Sequence, residues 1–240
     1  MLHRVLLALF ALLSAFPACA ATVRDNPRVV LELFTSQGCA SCPEADALLS
    51  RLNRDDGVIA LAYHVDYWDY MGWADTFGMP ENSDLQRAYA SARDNSRIYT
   101  PQLMVNGITE VIASRSHDVQ RAMDGMVLDL PVSLSASEDM LSIQIPARPG
   151  SSRAVIWLVT YLESAQVRVE GGENEGRSFT YTQVVTGRRP VGMWEPETGA
   201  ELRLPLAEVL ATQGQGIAIL VQEDDGGVPG PIIGAASFEP

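Results

Sequence analysis

The chain has 240 residues, a formal net charge of −13 and 17 cationic side chains, every one of them arginine. That balance argues against nucleic-acid backbones and anionic membrane surfaces as partners, because both are bound through cationic patches. The lack of lysine excludes Schiff-base chemistry and a P-loop lysine.

Residues 1–20 read as a secretory signal peptide. Met1–Arg4 gives a short basic start, Val5–Phe16 an apolar stretch, and Ala18-Cys19-Ala20 a small-residue cleavage site. Lipidation at Cys19 is the other reading, but Phe16-Pro17-Ala18 is a poor approach to a lipidated cysteine. The leader is too short to span a bilayer, and no later segment reaches the roughly 18 consecutive apolar residues a span requires. Cleavage after Ala20 would leave a periplasmic or secreted chain with two cysteines, Cys39 and Cys42, in a disulfide-permissive compartment.

Along the mature chain, Arg28–Thr35 (RVVLELFT) predicts a strand. The CxxC follows it, and Ala45, Leu48, Leu49 and Leu52 then recur at helical spacing. Gly57–Val65 (GVIALAYHV) predicts a second buried strand, and an aromatic run, Tyr63–Phe77, continues from its end. Ser83 and Gln86 have capping-box spacing ahead of a second helix. Thr100–Ser114 predicts two short strands turning at Asn106-Gly107. Ser116 opens a third helix with Val119, Ala122, Met123 and Met126 on its apolar face. The order β-α-β-α-β-β-α predicts an α/β unit over residues 21–128.

From Pro131 the texture changes to short alternating strands, over 140–146, 155–162, 167–170, 178–185 and 216–222. GGENEG, TGRRP and EDDGG read as the turns between them, and a short helical run lies near Leu206–Leu210. This pattern predicts an all-β, sandwich-like domain over residues 129–240.

The spacing of Cys39 and Cys42 admits three readings. The first is thiol–disulfide exchange: a cysteine at a helix N-terminus has its thiolate favoured by free N–H groups and the helix dipole. Pro43 suits the first helical turn, and Gly38 would let the backbone bend there. A local staple is the second reading, but so short a loop removes little unfolded-state entropy. Metal binding is the third. Zinc needs about four ligands, and His64 and His117 are the only mature-chain histidines; Cu(I) favours soft sulfur ligands.

With these elements placed, the chain resembles the thioredoxin superfamily, on the CxxC after the first strand and the Thr100-Pro101 that opens a strand turning at Asn-Gly. More specifically, ELFTSQGCASCPEAD, HVDYWDYMGWADTF, YTPQLMVNG and GENEGRSFTY are similar to secreted bacterial proteins catalogued as domain of unknown function 1223. The resemblance implies a thioredoxin-like fold for residues 21–128, with Cys39 as nucleophile and Cys42 as resolving cysteine. It also implies a cis Thr100–Pro101 bond that positions substrate. Two departures stand out: Gly38 replaces the superfamily's tryptophan, and Glu32, seven residues before Cys39, only approximates its buried acid.

Glu32 and His64 are therefore the candidate proton-transfer groups, with a half-buried structural histidine as the plain alternative for His64. Tyr67, Trp68 and Trp73 are candidates for a substrate groove beside the pair, or for core cover. Gly171–Arg177 (GGENEGR) reads as a hairpin turn, with a ligand loop packed on the first domain as the other possibility. The expected function is an exported thiol–disulfide oxidoreductase acting on a protein thiol, disulfide or redox partner without a cofactor. A Cu(I) carrier or a catalytically silent binding protein is the alternative.

Overall fold

A computed structural model of the chain describes residues 21–94, 97–137, 139–210 and 215–240. The expected signal peptide lies outside the described residues. In chain order the elements are β1 (Thr22–Asp25), β2 (Val29–Thr35), α1 (Cys42–Leu52), β3 (Val58–His64), α2 (Pro80–Ser91), β4 (Gln102–Val105), β5 (Thr109–Ile112) and α3 (Ser116–Met123). There follow β6 (Ser133–Ser137), β7 (Met140–Ile145), β8 (Ala154–Arg168), β9 (Ser178–Trp194), β10 (Ala200–Pro205), α4 (Leu206–Val209), β11 (Gln215–Asp225) and β12 (Val228–Glu239). Single 3₁₀ turns form at Asp69–Met71 and Gly172–Asn174.

These strands do not build the expected α/β thioredoxin-like unit followed by an all-β sandwich. The chain is mostly β, and a mixed nine-stranded sheet runs through both halves in the order β1-β12-β11-β8-β9-β3-β2-β4-β5. The joint is between β3 and β9, which run parallel with Ala62 opposite Val184. β6, β7 and β10 form a separate three-stranded sheet.

The reason is burial on both faces. β2 and β3 are buried at all seven positions, as strands covered on both sides must be. The face carrying Leu31, Leu33, Ala60 and Ala62 packs under α1 and α3 with Leu49, Val119 and Met123. The other face carries Val30, Phe34, Ile59 and Tyr63, and its core continues through Val159, Tyr161, Val185, Ala218, Leu220 and Ile232 of the second half. Tyr89 of α2 lies in that same cluster. A third cluster fills the space between the small sheet and β8, β11 and β12.

Local punctuation explains further differences. The TGRRP segment is no turn; it lies inside β9, where register shifts at Ile156/Trp157 and Thr160/Tyr161 of the β8 partner mark bulges. Glycine and proline within a strand commonly mark such a bulge. The segments 155–162 and 167–170 belong to one continuous strand, β8. α2 starts at Pro80, three residues ahead of Ser83. Ser83 is thus no cap, and its hydroxyl donates to Asp66 Oδ1 at 2.5 Å.

Candidate functional site

The site is assembled where β2 and β3 end together, with Thr35 opposite His64 in the parallel register. From Thr35 the chain makes a tight turn, Cys39 N–H donating to the Ser36 carbonyl at 3.2 Å and Cys42 N–H to the Cys39 carbonyl at 3.2 Å. α1 begins at Cys42 with Pro43 in its first turn. Cys39 and Cys42 are joined in a disulfide, their Cα atoms 5.4 Å apart. Gly38 does not have the left-handed backbone that would require glycine; a Cβ there would lie 3.2 Å from Trp68 Cβ. Its role is to let the Trp68 backbone and Cβ pack close.

A polar cluster lies on the α1 side of the sheet, buried at Thr35, His64 and Asp75 and half-buried at Asp46. Asp46 follows Cys42 by four residues on α1, so the two share a helix face about one turn apart. Thr35 Oγ1 donates to Asp46 Oδ1 at 2.8 Å. Burial pushes the Asp46 carboxyl up to about 7, against the lowering influence of the His64 charge and the Thr35 hydrogen bond. A carboxyl in that range can give and take a proton near neutral pH.

His64 is fully buried, and its Nδ1 lies 2.8 Å from Asp75 Oδ2. Asp75 also accepts from the backbone N–H groups of Gln37 at 2.7 Å and Phe77 at 2.9 Å. Burial alone would raise the Asp75 carboxyl, but the His64 charge and these donors hold it below its ordinary value. Phe77 and Tyr181 meet the imidazole edge-on, at centroid distances of 5.4 and 4.8 Å.

The aromatic run divides between two tasks. The Trp73 indole donates to Gln37 Oε1 at 2.8 Å, and Gln37 Nε2 donates to Thr76 Oγ1 at 2.9 Å, so the turn before Cys39 is stitched to this loop. The Trp68 indole donates to the Thr100 hydroxyl at 2.8 Å. Tyr67 and Trp68 are partly buried against the α2 side of the core. The Thr100–Pro101 bond is cis, and Pro101 leads directly into β4 beside β2.

Glu32 is elsewhere. Strand alternation points it to the opposite face of β2 from Thr35-side residues Leu31 and Leu33, and it accepts from the Tyr89 hydroxyl at 2.5 Å. Gln222 Nε2 donates to that hydroxyl at 2.8 Å, and Arg188 donates to Gln222 Oε1 at 2.7 Å. Burial raises the Glu32 carboxyl, with the Arg188 charge opposing. A two-residue period places this acid on the α2 face, while the CxxC and α1 are on the other.

Three residues outside the sequence expectation complete the site: Asp46, Asp75 and Asn174. The i, i+4 spacing of Cys42 and Asp46 was a readable signal, and Asn174 lies in the Gly171–Arg177 segment whose second reading is a loop packed on the first domain; Asp75 is brought in by the fold. Asn174 comes from the Gly172–Asn174 turn between β8 and β9 and is buried. Its Nδ2 donates to the carbonyls of Gln37 at 2.9 Å and Cys39 at 3.0 Å. The neighbouring Glu173 accepts from Ala40 N–H at 3.3 Å. The GGENEG segment therefore closes over the CxxC, and Cys39 is 1% exposed and Cys42 0% exposed.

Among the described residues no helix is long and apolar enough to cross a membrane. The sequence matches no curated protein. Among solved structures it is similar to the Agrobacterium tumefaciens protein AGR_C_4864, with 32% identity and a TM-score of 0.79 over 88% of this chain and 94% of that one. HBP35 of Porphyromonas gingivalis shares the fold at 12% identity and a TM-score of 0.59, over 89% of this chain and 75% of that one. Residues 30–222 match the model of the family described as "Protein of unknown function (DUF1223)". With most of its length and its disulfide turn inside that match, the chain belongs to the DUF1223 family.

Proposed function

We propose that the protein is an exported thiol–disulfide oxidoreductase that exchanges a disulfide with a partner protein through Cys39 and Cys42. One observation carries this reading: the CxxC is bonded at the start of α1, with Asp46, whose carboxyl is pushed up by burial, one helical turn behind it.

A thiolate of a partner dithiol attacks Cys39 Sγ, a partner–Cys39 disulfide forms, and the Cys39–Cys42 bond breaks. The electron pair leaves on Cys42 Sγ, and the protonated Asp46 carboxyl supplies the proton. The partner's second thiolate then attacks its own sulfur in the mixed disulfide, releasing Cys39 as a thiolate that the start of α1 favours. Two electrons have passed to the chain and the partner leaves oxidised; the reverse sequence oxidises the chain and reduces a partner disulfide. His64, held by Asp75, keeps a second proton-carrying group behind Asp46. Thr100 and Pro101, with Tyr67, Trp68 and Trp73, form the side on which the partner docks.

The test is a Cys42→Ala variant expressed with its leader in a native-type compartment. Mixed disulfides with other proteins should accumulate on Cys39 and vanish in the Cys39→Ala, Cys42→Ala double variant. Absence of mixed disulfides on Cys39 in the Cys42→Ala variant would overturn the proposal. If the reduced protein instead retains Cu(I) against a chelator and exchanges no disulfide, the Cu(I)-carrier reading replaces it.

A further inference from the structure

The disulfide on which the proposed exchange depends is almost sealed from solvent, and part of the seal is a peptide turn contributed from far along the sequence. Residues 169–177 connect β8 to β9, and within them only Val169 and Asn174 are buried. The turn meets residues 37–40 through three polar contacts, two from Asn174 Nδ2 and one to Glu173. It also rests on the aromatic loop: a Cβ at Gly171 would lie 2.5 Å from the Gly72 carbonyl. Gly172 and Gly176 have positive φ values of 71° and 80°, and nothing lies within 4 Å of a Cβ at Gly176. The turn is thus a short bridge between two glycines, held down at one buried side chain.

We infer that the Gly171–Arg177 turn is a lid that must lift before an incoming sulfur reaches Cys39, and that Asn174 is its latch. The inference rests on the oxidoreductase reading for its purpose, though lid opening itself requires no partner. The polar groups under the lid are the Gln37 and Cys39 carbonyls and the Ala40 N–H. Those are the two acceptors and the donor that an extended peptide satisfies through its own backbone. The Asn174 amide stands in for a peptide N–H, and the Glu173 carboxylate for a peptide carbonyl. A partner presenting an extended segment beside its sulfur can replace both contacts in kind.

The lid also bears on the oxidation state it covers. With the lid down, Glu173 takes an N–H at the turn leading into α1 and sets a negative charge near Cys39. Both effects oppose a Cys39 thiolate, since like charge disfavours the charged form. The uncharged disulfide suffers neither. The closed lid therefore favours the oxidised pair, and reduction loosens it.

The experiment follows reduction of the Cys39–Cys42 bond in the folded full chain by dithiothreitol, quenched by alkylation and read by mass. Asn174→Ala removes two latch hydrogen bonds and should speed reduction on the order of tenfold, given the modest net worth of each bond. Gly171→Ala gives an independent arm. Gly171 has extended backbone, φ −161°, which alanine adopts freely, so its methyl is disfavoured only by the closed contact with Gly72. It should speed reduction in the same direction with the latch intact. Urea unfolding of each variant fixes the global opening constant, and the acceleration must exceed any change in it. Amide exchange at Ala40 should rise in both variants while β2 amides stay protected. If both reduce at the wild-type rate, or only in proportion to global unfolding, the turn is no lid. That result would leave the mixed-disulfide test standing, and failure of that test would leave a measured lid standing.

Discussion

The Trp68 indole nitrogen lies 2.8 Å from the Thr100 hydroxyl, tying the aromatic loop after β3 to the entrance of β4. The Cβ and backbone carbonyl of the same residue pack close to Gly38, so Trp68 links the CxxC turn to the Thr100–Pro101 step. Such a bridge is well placed to shape a docking surface, because its ring is partly buried while Tyr70, two residues on, is 81% exposed.

Trp68→Phe keeps an aromatic ring and removes the donor. The expected stability loss is about 1 kcal/mol, the ordinary net value of one hydrogen bond. Capture of partners by a Cys42→Ala background should fall several-fold more than that loss explains. Mixed-disulfide yield, set beside urea denaturation of the same proteins, checks this. Proportional losses in both would make Trp68 a packing residue only.

Asp46 predicts a pH dependence. Its carboxyl is raised in the folded chain to about 7 by burial, so the neutral form is favoured on folding. The sign follows: its contribution is fully present below the ordinary carboxyl range and is lost as pH rises through about 7. The wild-type urea midpoint should therefore decline between about pH 4 and about pH 7, and Asp46→Asn should show a shallower decline. An identical slope in the variant would contradict the assignment. The rate of Cys42 protonation-linked exchange should also lose its inflection near neutrality in this variant.

Asp75→Asn breaks a pair whose side chains are wholly buried and weakens two backbone contacts. Removing one partner of a buried pair costs about 3–5 kcal/mol. A loss in that range is expected by urea unfolding, with the turn at Gln37 released from the aromatic loop. A loss below about 1 kcal/mol would show that His64 finds another partner.

Glu32→Gln is expected to leave Cys39 alkylation after reduction within about twofold of wild type, as for sites that share no contacts. The sheet separates Glu32 from α1, and its carboxyl is engaged by Tyr89. The measurement is a pH series of alkylation rates. A shift of the Cys39 titration in the variant would return Glu32 to the proton pathway.

Much of the local chemistry was legible in the sequence. The strand β2, the CxxC, the helix after Pro43 and the Asn106-Gly107 turn follow from apolar period, proline placement and the left-handed preference of Asn-Gly. Both turn residues indeed have positive φ, 49° and 67°. Aromatic density at Tyr63–Phe77 marked a segment unsuited to an ordinary solvated loop, and two of its indoles hold the CxxC surroundings in place.

Period along a strand, however, reports which of its faces are buried and not which strand lies beside it. β11 carried a hint in Ile217–Val221, an unbroken apolar run buried on both faces and so interior to a covered sheet. Nothing local could say that β9 would pair with β3 and fuse the two halves. That single pairing decides the site. It brings Tyr181 onto His64 and leads the β8–β9 turn back over residues 37–40, where Asn174 closes a separation of 135 residues to Cys39. Residue chemistry and spacing fix the reactive pair. Its burial, its acid and its cover depend on long-range strand order, which the global balance of apolar burial selects.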